Sequence, residues 1–420
     1  MDKRKKIKEK YEEVFTPGAP IDNKKMLFGR DQEYNDLINA IKRKGEHAII
    51  IGDRGVGKTS LVKTVLRQLK DECGLISSIR TCDPFSSYNM VFENLIRDIG
   101  FDTRKIESSS ECTSQHEVKA NVSILSGGLK AEDKQIEKHI PNDVKITPWE
   151  VFNFFKNNEN KYILVLDEYD AVHLSENQKE FHTSTAYTIK TFADNSDICS
   201  SKIIIVGVSQ SSDDLIGKHI SIERNLKEIY LRPIKKAHIH DYLSYVEDFL
   251  EIKIDDLVKK DIVESSLGYP YFFHLVGLES IEAMLNRNDS ELIVKMIDYN
   301  KAIERATNQA FQAELSKYKS IFFDKSSNED ERNLLITLSS VSEYPTPRTV
   351  LKKYCDKYKF DKPFEEILIN LIQDRRVIHL SKSLDNIRFY DPLLRPFVRK
   401  FYKIGNYPRP KEGPTLFDAM

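Results

Sequence analysis

Two apolar patterns alternate along the first half of the chain. One is the short continuous run: His47-Ala48-Ile49-Ile50-Ile51, Tyr162-Ile163-Leu164-Val165-Leu166 and Ser201-Lys202-Ile203-Ile204-Ile205-Val206-Gly207-Val208. Such runs predict strands buried on both faces of a parallel sheet. Residues 75–82 and Ile229-Tyr230-Leu231 fit two further strands. The other pattern has helical spacing: Leu37, Ile38 and Ile41; Leu61, Val62, Val65 and Leu66; Val91, Leu95, Ile96 and Ile99. Another helix opens at Thr147-Pro148, with Thr147 as the cap and Pro148 in the first turn. Strands alternating with helices predict an α/β architecture, a parallel sheet with helices on both faces.

Beyond about residue 235 the strand runs stop. Ile239, Tyr242, Leu243, Val246, Phe249 and Leu250 repeat at helical spacing, and this character persists to about 325. From about 329 to 404 the layout is that of a winged helix. Leu334, Leu335 and Leu338 mark a first helix, 348–354 a second and 364–372 a third, with two short strands at 377–380 and 387–390. Three segments stand apart. Residues 1–14 are mostly charged and predict a frayed helix, followed by an extended stretch around Pro17 and Pro20. Residues 101–146 carry Ser108-Ser109-Ser110, then an alternation at Val118, Ala120, Val122 and Ile124, which predicts an inserted surface hairpin. The tail, 405–420, is rich in Pro and predicts disorder; its Leu416-Phe417 pair is a candidate docking peptide or simply a frayed end. The expected domains are therefore 1–24, 25–234 with its insertion, 235–328, 329–404 and the tail.

Composition narrows the class. A chain of 420 residues exceeds one compact core and predicts about two or three domains. Lys+Arg 64 against Asp+Glu 65 leaves no global basic field, so any nucleic-acid surface must be local. Residues 331–420 are such a region, with a net of +6. The five cysteines form no C-x-x-C pair and suit a reducing cytosol. No apolar run approaches the roughly 18 residues of a membrane span. The expectation is a soluble cytoplasmic protein without a membrane partner.

The chemistry concentrates in one stretch, Gly52-Asp53-Arg54-Gly55-Val56-Gly57-Lys58-Thr59-Ser60, which fits G-x-x-x-x-G-K-[ST] between a predicted strand and a predicted helix. Glycines let backbone N–H groups curl around a polyphosphate, and the helix N-terminus adds its positive end. Lys58 would reach the β- and γ-phosphates, and the Thr59 hydroxyl would hold Mg²⁺. A second stretch, Leu166-Asp167-Glu168, places two acids at the C-terminal end of a buried strand, where open α/β sheets bind ligands.

These motifs resemble AAA+ ATPases, in particular their initiator and STAND branches, over residues 25–405. The resemblance implies a P-loop NTPase core, a helical lid over 235–328 and a winged helix. It implies ATP and Mg²⁺ as cofactors. Asp167 would then join the Mg²⁺ shell, and Glu168 would orient and deprotonate the attacking water. Gly29 and Arg30 resemble the adenine-side turn. Ser209 would sense the γ-phosphate, with Gln210 as the alternative. Arg224 would act as an arginine finger on a neighbouring subunit. Gly268-Tyr269-Pro270 resembles the GxP motif, with Pro270 at the base or ribose. The stretch lacks the sensor-2 arginine of other AAA+ lids, which favours a nucleotide-gated switch.

The resemblance thus implies an ATPase that assembles as a homo-oligomer on ATP binding and controls a protein partner or effector, in a prokaryotic defence or mobile-element system. The alternative is a DNA-binding initiator-like or transposition-regulator-like ATPase using 348–390. Its third helix offers Glu365 and Glu366 but few base-reading groups, so Arg375, Arg376, Lys382 and Arg388 would contact phosphates. A third reading is a nucleotide-binding scaffold with little turnover. The finger assignment carries its own test. Turnover per subunit rises with protein concentration, and Arg224→Ala abolishes that rise.

Overall fold

The computed structural model describes residues 3–100, 146–156, 160–172, 176–209, 220–287, 290–314, 329–341, 345–356, 358–375, 377–380, 385–390, 394, 395 and 398. The predicted hairpin at 118–128 and the tail lie outside them. The chain divides into two compact units. One comprises Glu33–Ile51 and Val65–Tyr230; the other comprises Met1–Gln32, Gly52–Thr64 and Leu231–Met420.

The first unit is built on a sheet of β1 (His47–Gly52), β2 (Ile76–Thr81), β3 (Tyr162–Asp167), β4 (Lys202–Gly207) and β5 (Leu226–Leu231), in the order β2-β3-β4-β1-β5. β1 pairs with β4 in parallel, Ile49 opposite Ile205, and β3 lies parallel between β2 and β4. The three continuous apolar runs are the three inner strands, and every residue in them is buried. β2 and β5 are the edges and carry polar residues such as Ser77, Arg80, Lys227 and Glu228, which is why their sequence signal is weaker. Ile49, Leu164 and Ile203 share a core with Phe92 of α4 (Tyr88–Asp98), Phe152 and Phe155 of α5 (Pro148–Phe155) and Phe192 of α6 (Glu176–Asp194). Each such fully buried side chain contributes about 1.5–3 kcal/mol. Thr147 caps α5 in a capping box with Glu150. At the foot of the sheet His47 is buried, and its Nδ1 accepts the Ile203 N–H at 2.9 Å.

In the second unit, α7 (Lys236–Leu250), α8 (Asp256–Ser266), α9 (Pro270–Leu285) and α10 (Met296–Glu314) form a helical body. The helix Lys3–Val14, expected to fray, is docked on it instead. Ile7, Val14 and Phe15 form one apolar stripe that is buried, and Arg4 donates to the carbonyls of Leu285 and Arg287. Phe15 lies so close to Gly277 that a Cβ there would stand 2.3 Å from its ring. The Tyr242 hydroxyl donates to the Val14 carbonyl, and the Thr16 N–H donates to His274 Nδ1 at 3.2 Å. These contacts outweigh the charged composition, because the charges lie on the other faces of the helix.

The same unit holds a small C-terminal module with its own core of Leu334, Leu338, Leu351, Leu371, Ile387 and Phe389. It comprises helices Glu329–Ser340, Arg348–Cys355 and Phe364–Gln373 and an antiparallel sheet. That sheet has the order Thr346–Pro347, Asn386–Phe389, Ile378–Leu380.

Burial lowers the pKa of both His47 and His274 from 6.5 to about 3. The unfolded chain therefore takes up these protons first as pH falls. Stability is full above the unfolded value and declines through the window down to about 3, by up to about 1.4 kcal/mol per pH unit for each histidine. Thermal unfolding midpoints fall from pH 7 to pH 5. His274→Asn, whose amide oxygen can still accept from Thr16, flattens that slope.

Candidate nucleotide site

The loop begins where β1 runs into Gly52, with φ +149. A Cβ there would stand 2.4 Å from the Leu231 carbonyl oxygen, so only glycine can leave the strand at this point. The chain crosses Asp53–Gly57 and enters the helix Lys58–Cys73, where Leu61 N donates to Gly57 O at 3.0 Å. Lys58 Nζ turns back onto the loop, donating to Gly52 O at 3.1 Å and Asp53 O at 2.9 Å. Ligand phosphates would replace those carbonyls as its partners. Arg54 is exposed, and Thr59 is half-buried at the helix start.

Several side chains hold the loop in place. Arg30, buried, donates to Val56 O at 2.9 Å and Arg232 O at 2.6 Å. It braces the loop through its backbone. Gly29, with φ +67, lies against His238, whose ring a Cβ would meet at 2.6 Å. Ser60 Oγ accepts the Ile21 N–H at 3.1 Å, and Thr64 Oγ1 donates to Ile21 O at 3.3 Å. Asp53 is buried, with Oδ2 accepting from the Tyr269 hydroxyl at 2.8 Å and Oδ1 paired with Arg388. Gly268, with φ +87, accepts Ile234 N at 2.8 Å and sets up Tyr269-Pro270 as the start of α9.

Beside the loop is a cavity of about 410 Å³, counting its open mouth. It is lined by Ile21, Phe28, Ile234, His238 and Pro270, with Gly57 and Ser60 on the loop side. An apolar slot next to a phosphate loop suits a flat heterocyclic base. Sequence reasoning named Gly29, Arg30, Gly52–Ser60 and Pro270, and the second unit brings all of them together. It did not single out Ile21, Phe28, Ile234 or His238, which show only as ordinary apolar or polar positions in sequence.

The acid pair belongs to the sheet unit. Asp167 ends β3 in burial, and its Oδ1 accepts the Glu168 N–H at 3.0 Å. Glu168 is exposed and left-handed, at φ 51 and ψ 39. A non-glycine residue there costs about 1–3 kcal/mol, which the flanking buried segments must hold in place. Burial and the neighbouring acids, Asp167 first among them, push the Cys82 thiol up to about 12, so it stays protonated. Asp170 Oδ1 accepts the Val208 N–H at 2.7 Å and so ties the turn after the acids to the end of β4, where Ser209 follows in burial. Asp170 was missed, although the spacing Asp167-Glu168-x-Asp170 stands in the sequence. Arg224 is exposed in the turn after Ile220–Glu223, and Gln210 lies outside the described residues.

One expectation is corrected. Arg388, expected on a DNA-facing wing, is buried in its ion pair with Asp53 and is not available to external phosphates. Arg375 is half-exposed and pairs with Glu331 at 3.5 Å. Arg376 and Lys382 lie outside the described residues.

Residues 26–194 match the family model of the AAA ATPase domain. That span includes the Gly29-Arg30 turn, the phosphate loop and the acid pair. No curated protein matches the sequence. Among solved structures, the Walker-type ATPase of Pyrococcus abyssi is similar with a TM-score of 0.51 at 17% identity, over 91% of this chain and 99% of that one. The ORC2 protein of Aeropyrum pernix in its ADP form aligns at 0.47 and 13% identity, over 94% and 98%. The ORC1 protein of Aeropyrum pernix in complex with DNA aligns at 0.44 and 14%, over 93% and 96%. The first likeness shows the fold alone: a parallel five-stranded sheet flanked by helices, as in P-loop AAA+ ATPases.

Arg30→Met keeps the aliphatic stem and strips the loop of its brace. It is expected to lower stability by roughly 1–3 kcal/mol, because the buried Val56 carbonyl and the partly buried Arg232 carbonyl lose a donor. ATP binding, measured by titration calorimetry, weakens at least about tenfold, a change of about 1.4 kcal/mol.

Proposed function

We propose that the protein is an ATP-binding and ATP-hydrolysing switch of the AAA+ type, STAND-like in design. It couples its ATP·Mg state to self-assembly and to control of a partner protein. The observation that carries this reading is the closed architecture around the loop. The loop Gly52–Thr59, the apolar slot beside it, the helical body and the C-terminal module belong to one compact unit. A nucleotide seated there would touch the elements that a switch must move.

The residues divide the work. The loop backbone and Lys58 bind the phosphates, with Lys58 exchanging its loop carbonyls for phosphate oxygens. Pro270 and the slot hold the base. Thr59 and Asp167 supply hard oxygen donors of the kind Mg²⁺ takes alongside phosphates and water. Held by these residues, Mg²⁺ would supply charge neutralisation at the transferring phosphoryl group. Glu168 orients the attacking water and takes its proton, and Ser209 places the water from the end of β4. Arg224, exposed, is free to reach a neighbouring copy. A role in prokaryotic defence or mobile elements is the biological setting we favour.

The local positive charge of residues 331–420 supports a second reading, an initiator-like ATPase that binds duplex DNA. Burial of Arg388 weakens it by removing one of the proposed phosphate contacts.

ATP turnover is measured with and without duplex DNA across a salt series, with Lys58→Ala as the blank. Basal turnover indifferent to DNA is expected. Stimulation that fades with salt would instead select the initiator-like reading. Glu168→Gln is expected to slow turnover by about a hundredfold or more while ATP still binds. Equal, slow turnover in wild type and variant would leave only a nucleotide-binding scaffold.

A further inference from the structure

We propose that Arg388, a residue of the C-terminal module, is the counter-charge that allows the phosphate loop to accept a polyphosphate. It is a positioning residue that acts through Asp53. The inference rests on the nucleotide reading of Gly52–Thr59.

Asp53 is the first loop residue after β1, and its side chain is only 4% exposed. Among the described residues its carboxylate has two partners, the Tyr269 hydroxyl at the head of α9 and Arg388 Nη1. Its backbone carbonyl is the acceptor for Lys58 Nζ at 2.9 Å. One residue therefore connects the phosphate-binding lysine to an arginine 335 positions further along the chain.

Arg388 is held there by its own module. It lies on the strand Asn386–Phe389, opposite His379 in register, between Ile387 and Phe389, both fully buried. Its side chain is 8% exposed, and its Nε has no hydrogen-bond partner among the described residues. A surface ion pair would be screened and weak, but this one is withdrawn from water on both sides.

The electrostatic consequence has a definite sign. A carboxylate in a loop that receives a polyphosphate repels it, and burial strengthens the repulsion. Arg388 cancels that charge. Without the guanidinium the loop carries an uncompensated acid; without the acid it carries an extra cation. Phosphate affinity thus depends on the C-terminal module being docked. A partner that withdraws this strand would lower ATP affinity, and ATP would favour the docked module.

The test is equilibrium binding of ATP, ADP and AMP to the full chain by titration calorimetry, for wild type, Arg388→Gln, Arg388→Lys, Asp53→Asn, the double variant Asp53→Asn/Arg388→Gln and Lys58→Ala. Arg388→Gln is expected to weaken ATP by about tenfold, one unit charge at short range in a partly buried site. The loss should shrink from ATP to ADP to AMP. Arg388→Lys retains most of the affinity. Asp53→Asn shifts ATP affinity the opposite way, towards tighter binding, and the double variant returns most of what Arg388→Gln loses.

Should Arg388→Gln fold poorly, Asp53→Asn and the double variant still report the sign. The proposal is overturned if both single variants weaken ATP binding, if the double variant is as weak as Arg388→Gln, or if the loss is equal for ATP and AMP. Those results describe a pair that only holds the fold. Loss of ATP binding in Lys58→Ala with wild-type binding in Arg388→Gln removes the Arg388 role alone. Undiminished binding in Lys58→Ala removes the nucleotide reading itself.

Discussion

The contact between Gly52 and the Leu231 carbonyl governs how the rest of the site is built. A side chain at position 52 would collide with that oxygen at 2.4 Å. With glycine there, the end of β1 can lie against the end of β5, and the loop leaves the strand at an angle that L-residues rarely adopt. The following turn can then expose backbone N–H groups rather than pack them against side chains. Arg30 secures the resulting loop from behind by bonding the Val56 and Arg232 carbonyls. A guanidinium suits this task, since a rigid planar fork can serve two carbonyls on different segments at once.

Lys58 and Asp53 of the loop each have partners of a different kind. Lys58 donates to loop carbonyls, and Asp53 takes the Tyr269 hydroxyl and the Arg388 guanidinium. Buried charges persist only when paired and hydrogen-bonded, so each group specifies where its partner's element must lie. In this way the helix start at Pro270 and a strand near residue 388 become part of a site whose motif spans eight residues near the other end of the chain. The N-terminal segment joins through neutral groups, with Ile21 bonded to Ser60 and Thr64 and Phe15 seated on Gly277.

The acid pair shows a different means of placement. Asp167 is the last residue of an inner strand, so its position follows from sheet register, Thr81 lying opposite it. Glu168 leaves the strand in a left-handed conformation, and Asp170 bonds Val208 at the end of the neighbouring strand. The turn that carries the proposed base and the strand end that carries Ser209 are therefore one hydrogen-bonded piece.

Much of this was legible in sequence. Inner strands of a parallel sheet must be apolar on both faces, so β1, β3 and β4 appear as unbroken runs. The glycine, lysine and hydroxyl spacing of a phosphate loop is a local requirement and is written locally. Edge strands were fainter because one side of each lacks a neighbouring strand, and β5 accordingly begins three residues earlier than its apolar signal. The helix Lys3–Val14 was misjudged because composition hides a stripe of three apolar residues until the surface they meet exists. Arg388 could not be assigned from sequence at all. Nothing near it differs from a solvent-facing arginine on a short strand, and only the folded chain brings it to Asp53. Local chemistry and periodicity determined the fold class and marked Gly52–Thr59 as the candidate loop. Tertiary structure decided which distant charges complete that loop, because the pairing of buried charges depends on proximity in space, which sequence separation does not encode.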